Sequence, residues 1–246
     1  TLTGQKSGGA IALRADMDAL NMTERADLPH RSQTPGKMHA CGHDGHTVML
    51  LAAAEHLAKT RDFAGVIYFV FQPAEENEGG GRAMVEDGFF DRFPASEVYG
   101  MHNWPALPAG KIAVHTGPVM ASADRFTIRI LGRGGHGAMP HQTHDPILAA
   151  AHLITTLQSI VSRDVAPSDS AVVSVTRVDA GETYNVIPGS AELWGTARSF
   201  SPSTRDALEA RIRETASGIG TALGVQIDVE YRRGYPATVN APMQAQ

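Results

Sequence analysis

The chain has 246 residues, 42% of them hydrophobic and 19% charged, with 25 Gly and 14 Pro. That is enough to bury a sizeable core in one large domain or two ordinary ones, and it argues against disorder. The formal charge is −5 and the Lys and Arg residues are scattered, so no basic stripe for nucleic acid is present. No apolar run approaches about 18 residues and no leader pattern is visible, so a cytoplasmic location without membrane contact is the expectation. The single Cys41 excludes an intrachain disulfide and leaves three roles for itself: small hydrophobe, reactive thiol or metal ligand.

In chain order, Ala10 to Arg14 is a short apolar run ending in Asp16 and Asp18. Asp44 to Lys59 has a helical face made by Val48, Leu51, Ala54 and Leu57 at three- and four-residue spacing. Gly65 to Phe71 is a nearly continuous apolar strand stopped by Pro73. A short helix is expected from Gly80 to Asp87 with Gly88 as its stop, then strands at Glu97 to His102 and Lys111 to His115. Such alternation signals an α/β unit whose active groups sit past the carboxyl ends of strands, where Asp16, Asp18, Glu75, Glu76 and His102 fall.

The rhythm changes near Gly117 to Ala123. Arg125 to Leu131 alternates like a half-exposed strand, Asp145 to Val161 reads as a helix, and Ser170 to Val178 and Ser190 to Phe200 read as strands. Ser201 and Pro202 open a further helix that runs to about Ala222, and Gly224 to Tyr231 supplies the last strand. The order β-α-β-β-α-β is that of a ferredoxin-like sandwich. The chain opens at Thr1 without methionine and stops at Ala241-Pro-Met-Gln-Ala-Gln246 soon after a strand, so a piece of a longer protein is the expectation.

The densest polar cluster, Met38-His-Ala-Cys-Gly-His-Asp-Gly-His46, follows a Pro35-Gly36 turn and runs into the first helix. Thiolate and imidazole two residues apart reach one ion where the backbone is not helical, and the glycines permit that. The helix amino end would favour the thiolate of Cys41. The same residues would also suit caps or core positions, because a Cys-x-His pair alone is a weak signal. Glu75 and Glu76 follow an apolar strand, where desolvated carboxylates need a compensating cation; a surface loop, with Glu78 extending the acidic run, is the other reading. Cys41, His43, Glu76 and His102 together offer sulfur, nitrogen and oxygen to a borderline ion. That set suits zinc, with manganese, cobalt or nickel as substitutes, and leaves Glu75 as general base on a metal-bound water.

The runs ALRADMDAL, MHACGHDGHT, FQPAEE, MHNWP, GRGGHGAMPH, NVIP and GTARSF closely resemble the M20 metallopeptidase family, in the subgroup of hippurate hydrolases, N-acyl-amino-acid amidohydrolases and auxin-conjugate hydrolases. The resemblance implies a zinc-exopeptidase-like catalytic α/β domain with a mixed sheet, over residues 1–119. It implies that a ferredoxin-like lid and dimerisation domain, residues 120–236, interrupts it, and that residues 237–246 begin the return. It further implies two divalent metal ions, with Cys41, His43, Glu76 and His102 as ligands and Glu75 as the catalytic glutamate. Asp18 would lie behind the metals, and Asp16 takes the place where other branches use a histidine ligand. His136 would stabilise the oxyanion from the partner subunit of a homodimer, and Asn185 and Arg198 would contact the substrate carboxylate. For Arg198 a structural salt bridge to an acid of the lid is the other reading. One more histidine ligand is expected after residue 246. The implied reaction is hydrolysis of N-acetyl or N-benzoyl amino acids. A dipeptidase or carboxypeptidase of the same family, and a metal-binding fragment inactive through truncation, are the alternatives.

Overall fold

A computed structural model describes residues 1–76 and 79–241. Glu78 and the end of the segment 237–246 therefore lie outside the described residues. The chain divides into two compact units, Thr1–Ile112 and a second that begins at Ala113.

The first unit runs β1 (Leu2–Thr3), β2 (Lys6–Asp16), α1 (His43–Thr60), β3 (Ala64–Gln72), α2 (Gly80–Glu86), α3 (Phe89–Arg92) and β4 (Glu97–Gly100). Its sheet has the order β1-β3-β2-β4. The strand β2 lies parallel to both β3 and β4, whereas β1 is antiparallel to β3, so the sheet is mixed. Gly65 makes the β2–β3 approach possible: its φ is +86°, and a Cβ there would lie 1.8 Å from the Gly9 carbonyl oxygen. Because Asp16 pairs with Gln72 and Arg14 with Gly100, the segments leaving β2, β3 and β4 emerge side by side at one sheet edge.

Two expectations change here. The face of α1 that carries Val48 and Leu51 is exposed, and the helix buries His43, His46 and Leu50 instead. The helix offers two apolar stripes, and its docking on β2 selects the one one position away. Lys111 to His115 forms no strand. Its alternation finds no pairing strand among the described residues, and Ile112 is 75% exposed; a strand begins only at Gly117.

The second unit contains β5 (Gly117–Met120), β6 (Asp124–Leu131), β7 (Gly135–His136), α4 (Pro146–Ser159), β8 (Ala171–Ala180), β9 (Val186–Ile187), β10 (Ser190–Ser199), α5 (Pro202–Leu223), β11 (Gln226–Arg233) and β12 (Thr238–Asn240). Strands β11-β6-β10-β8 form an antiparallel sheet in that order, which with α4 and α5 gives the expected β-α-β-β-α-β arrangement. The alternation in β6 and β10 sends Phe126, Ile128, Ile130, Leu193 and Ala197 inward, against Leu153 and Leu157 of α4 and Leu208 and Ile212 of α5. Each such large side chain contributes about 1.5–3 kcal/mol by burial. Asp145 caps α4 by accepting from the Ile147 N–H at 2.8 Å, and Ser201 caps α5 by accepting from the Thr204 N–H at 3.1 Å. Outside this core, β12 pairs with β5 and β7 with β9. No helix among the described residues is long and apolar enough to cross a membrane.

Asp124, 1% exposed, is the charged group buried in this unit at the start of β6. Its carboxylate accepts two hydrogen bonds from Arg205 Nε at 2.9 and 3.2 Å, one from the Tyr231 hydroxyl at 3.0 Å and one from the Gly234 N–H at 3.1 Å. Removing the cation alone strands a buried anion, whereas removing both charges does not. Arg205→Leu is expected to lower the unfolding free energy by about 3–5 kcal/mol in urea titration, and the double variant Asp124→Leu/Arg205→Leu to lose clearly less. Equal losses would show that the pair carries no such coupling.

Candidate metal centre

The loops leaving β2, β3 and β4 converge with the start of α1. Cys41, His43 and His102 offer ligand atoms within 4.8 Å of one another, as do His43, Glu75 and Glu76. Asp18 organises this convergence. Its Oδ1 accepts from the Glu75 N–H at 3.0 Å and its Oδ2 from the Glu76 N–H at 3.1 Å. Oδ1 also lies 3.2 Å from His43 Nδ1. Burial pushes the Asp18 carboxyl up, but the two N–H groups outweigh it and hold the group below the ordinary carboxylate range. Asp18 is therefore an anion that fixes the Glu75–Glu76 backbone and places the His43 proton on Nδ1. The turn carrying the two glutamates is tight, with Ala74 at φ +54°.

With its proton on Nδ1, His43 presents a bare Nε2 lone pair. His43 Nε2 and Glu76 Oε1 are both buried without a hydrogen-bond partner. They face each other at 3.7 Å, and Asp16 Oδ2 lies 3.6 Å from the same nitrogen. Two unpartnered acceptors turned toward each other, beside a carboxylate oxygen already held by Arg14, call for a cation between them. Cys41 Sγ lies 3.4 Å from His102 Nε2, and His102 Nδ1 donates to the Asn103 carbonyl at 2.7 Å, so this imidazole also keeps a lone pair on Nε2. The residues present thus fit a borderline divalent ion of the zinc type through soft and nitrogen donors beside one carboxylate. The expected preference of Cys41 for the thiolate does not hold in the protein alone. Burial pushes the thiol up to about 11, and the Glu76, Glu75 and Asp16 carboxylates add to the shift. The helix amino end is outweighed, and only a cation bound at the sulfur would reverse the balance.

Glu75 differs from its neighbour in setting. Burial raises its pKa, the Glu76 charge adds to that, and Arg14 and His43 oppose it. A carboxyl group moved up in this way is a better proton acceptor than an ordinary one.

The other predicted site residues belong to the second unit. His136 ends β7, which pairs with β9, and the Gly137 N–H donates to the Asn185 carbonyl at 2.8 Å, so these two loops lie together. His136 Nδ1 accepts from the Ala138 N–H at 3.1 Å, which puts the ring proton on the exposed Nε2. Arg198 is not with them. It lies near the far end of β10, where Nη1 donates to the carbonyls of Asp124 at 3.2 Å and Ala197 at 3.0 Å and to the Thr196 hydroxyl. Among the described residues it makes no salt bridge, so the salt-bridge reading of Arg198 finds no acid.

The model of Peptidase family M20/M25/M40 matches residues 12–246. The chain belongs to this family. Over 241 residues the M20 chain is 46% identical to an N-acyl-L-amino acid amidohydrolase of Geobacillus stearothermophilus, covering 97% of this chain and 65% of that protein. It is 45% identical over 230 residues to a hippurate hydrolase of Campylobacter jejuni, covering 94% and 60%. Its structure resembles that of the Bacillus subtilis YXEP protein, a dinuclear metal binding peptidase from the M20 family. The TM-score is 0.79 at 40% identity, with 98% of this chain and 62% of that one covered. The M20 chain therefore spans a little under two thirds of the length of these relatives.

Two residues at the centre were given no role by the sequence. His46 and Asn103 sit inside motifs that were read for their neighbours, and only the three-dimensional contacts separate them. A metal bound at the orphaned His43–Glu76 pair stabilises the folded state by mass action, about 2.7 kcal/mol at one hundred times Kd. Zn²⁺ added to EDTA-treated protein is expected to raise Tm by roughly 5–10 °C. His43→Leu is expected to abolish most of that shift, and an unchanged shift in this variant would place the ion elsewhere.

Proposed function

We propose that this chain is part of a metal-dependent amidohydrolase that removes the acyl group, N-acetyl or N-benzoyl, from N-acyl amino acids. The observation that carries the reading is the buried, unpartnered facing of His43 Nε2 and Glu76 Oε1 beside Glu75, whose carboxyl is raised. The names of relatives at 45% and 46% identity point to the same substrate class. In this reading Cys41, His43, Glu76 and His102 hold two divalent ions of the zinc, manganese, cobalt or nickel type, with a further ligand from outside this chain. The ions, when bound, lower the pKa of water and polarise the amide carbonyl.

Glu75 takes a proton from the attacking water as the new C–O bond forms at the amide carbon. The Nε2–H of His136 donates to the oxyanion that develops there. Glu75 then returns the proton to the amide nitrogen as the C–N bond breaks, which releases a carboxylic acid and a free amino acid. Asp18 holds the backbone of Glu75 in line throughout, and Asn185 and Arg198 bind the substrate carboxylate.

The spacing of these groups in the second unit calls for two copies of the chain. His136 and Asn185 flank the Ser190 end of β10, and Arg198 lies eight residues along it, roughly 26 Å away. A substrate with the dimensions of an N-acyl amino acid does not reach both ends of one sheet. Each active site is therefore completed by a second copy, one contributing Arg198 and the other His136 with Asn185. In this reading the second unit is a lid and dimerisation domain inserted in the catalytic domain, and the enzyme is a homodimer.

Glu75→Gln is expected to lower kcat on N-benzoyl or N-acetyl amino acids by about a thousandfold while metal content by elemental analysis stays at the wild-type level. Loss of metal with activity would make Glu75 a ligand instead. Mixing the inactive Glu75→Gln and His136→Ala variants under subunit exchange is expected to restore about a quarter of wild-type activity, since half of randomly formed C2 dimers then carry one intact site. No recovery, with exchange demonstrated by a tag, would refute sharing of sites between copies.

A further inference from the structure

We infer that His46, held by Asp16, is a positioning residue that fixes the His102–Asn103 backbone and thereby aims the His102 imidazole into the metal centre. The inference deepens the metal-centre reading above and rests on it. His46 is 2% exposed and Asp16 1%. His46 Nε2 accepts the Asn103 backbone N–H at 2.9 Å and lies 3.2 Å from the Asn103 Oδ1; the backbone N–H is a donor only and the shorter contact, which assigns this nitrogen as the acceptor. The ring proton is on Nδ1, which donates to Asp16 Oδ1 at 2.6 Å. Asp16 Oδ2 in turn accepts from Arg14 Nη1 at 2.7 Å, and the Thr47 hydroxyl donates to the Asp16 carbonyl at 3.1 Å.

These bonds form one chain from the core of the sheet to the ligand loop. Arg14 fixes Asp16, Asp16 fixes the tautomer of His46, and His46 fixes the Asn103 N–H. The carbonyl of the same residue takes the His102 Nδ1–H at 2.7 Å. Both backbone polar groups of Asn103 are thus committed, one to a buried ring beneath and one to the imidazole it orients. The Asn103 side chain packs against the Cys41–Gly42–His43 turn so closely that a Cβ on Gly42, at φ +98°, would lie 2.5 Å from its Oδ1. Asn103 therefore registers the His102 loop against the Cys41 and His43 segment, and His46 is what holds Asn103 in place.

The spacing His43-x-x-His46 and the proximity of Asp16, His43 and His46 offer a competing view, in which His46 ligates an ion. The hydrogen bonds favour positioning, because both ring nitrogens of His46 and both oxygens of Asp16 already have partners. Groups that orient metal ligands in this way typically carry 10–100-fold in metal affinity.

The test is cobalt titration of the intact metal-free protein, following d–d absorption and the thiolate-to-cobalt charge-transfer band, with folding checked by circular dichroism. His46→Leu is expected to bind as many cobalt ions as wild type but about 10–100-fold more weakly, with displaced d–d bands. His46→Gln, whose amide can donate to Asp16 and accept from Asn103, is expected to stay within about threefold of wild type. Wild-type affinity and spectrum in His46→Leu would overturn the inference, as would loss of a whole equivalent of cobalt in both variants, which would make His46 a ligand. Cys41→Ser is the control that should remove the charge-transfer band. If wild type takes up no cobalt and lacks that band, the metal-centre reading itself fails. Should His46→Leu not fold, ¹H–¹⁵N spectra of the wild-type imidazoles decide. An Nδ1–H tautomer for His46 is expected, and an Nε2–H tautomer would overturn the relay.

Discussion

Asp18 is the constraint on which the first unit depends. One carboxylate accepts the N–H groups of both glutamates and lies against the inner ring nitrogen of His43. Those contacts engage the Glu75 and Glu76 N–H groups on a residue behind the centre, and leave His43 Nε2 and Glu76 Oε1 as acceptors on its front. Among the described residues, His43 Nε2 and Glu76 Oε1 then face each other with no donor to satisfy them, beside an Asp16 carboxylate that Arg14 and His46 hold. In a protein without a cation this would be a standing cost of several kcal/mol per orphaned group. A divalent ion of the kind these donors fit would supply the missing partner.

The second unit handles a buried anion in the opposite way. Asp124 is deeply buried, yet Arg205, Tyr231 and the Gly234 N–H satisfy it within the chain, whereas the buried Glu76 Oε1 has no hydrogen-bond partner. Burial pushes the Tyr231 phenol far up, and the Asp124 charge adds to that, so the phenol remains a donor at every ordinary pH. A closed network of this sort rigidifies the strand ends where β6, β10 and β11 meet, and Arg198 draws on the same corner through the Asp124 carbonyl. The contrast separates a polar cluster that stabilises from one built to receive something.

Much of this was legible in the sequence, and the failures have common causes. The strands and helices of the second unit follow their alternation and caps to within a few residues, because the core lies on one face of a sheet and period-two burial is unambiguous there. In α1 the pattern was ambiguous: apolar residues lie on two stripes, and only docking on β2 picks the one with His46 and Leu50 over Val48 and Leu51. Lys111 to His115 shows that alternation supplies a strand's surface but not its partner. At the metal centre the residue types were readable as a set, whereas the division of labour among them was not. His43, His46 and His102 look equivalent in one dimension. They differ in which ring nitrogen is engaged, and that follows from backbone N–H and C=O groups on other loops. The shift of the Cys41 thiol was not legible for a related reason, since its helix is adjacent in sequence but the carboxylates that raise it come from the end of β2 and the turn after β3.

The placement of His136, Asn185 and Arg198 bears on how the proposed chemistry would be assembled. A single ferredoxin-like sheet is about as long as its strands, and β10 alone separates Asn185 from Arg198 by more than the length of the substrates named for the relatives. Residues at both ends can be functional only if each end faces a different active site. The closed twofold arrangement proposed above would meet that condition, because an isologous contact presents each end of the sheet once per copy. In such an assembly the proposed oxyanion donor, His136, would be withheld until two chains meet. Hydrolytic competence would then be a property of the proposed dimer, even though every proposed metal ligand within this chain, and the proposed general base, lies in the first unit.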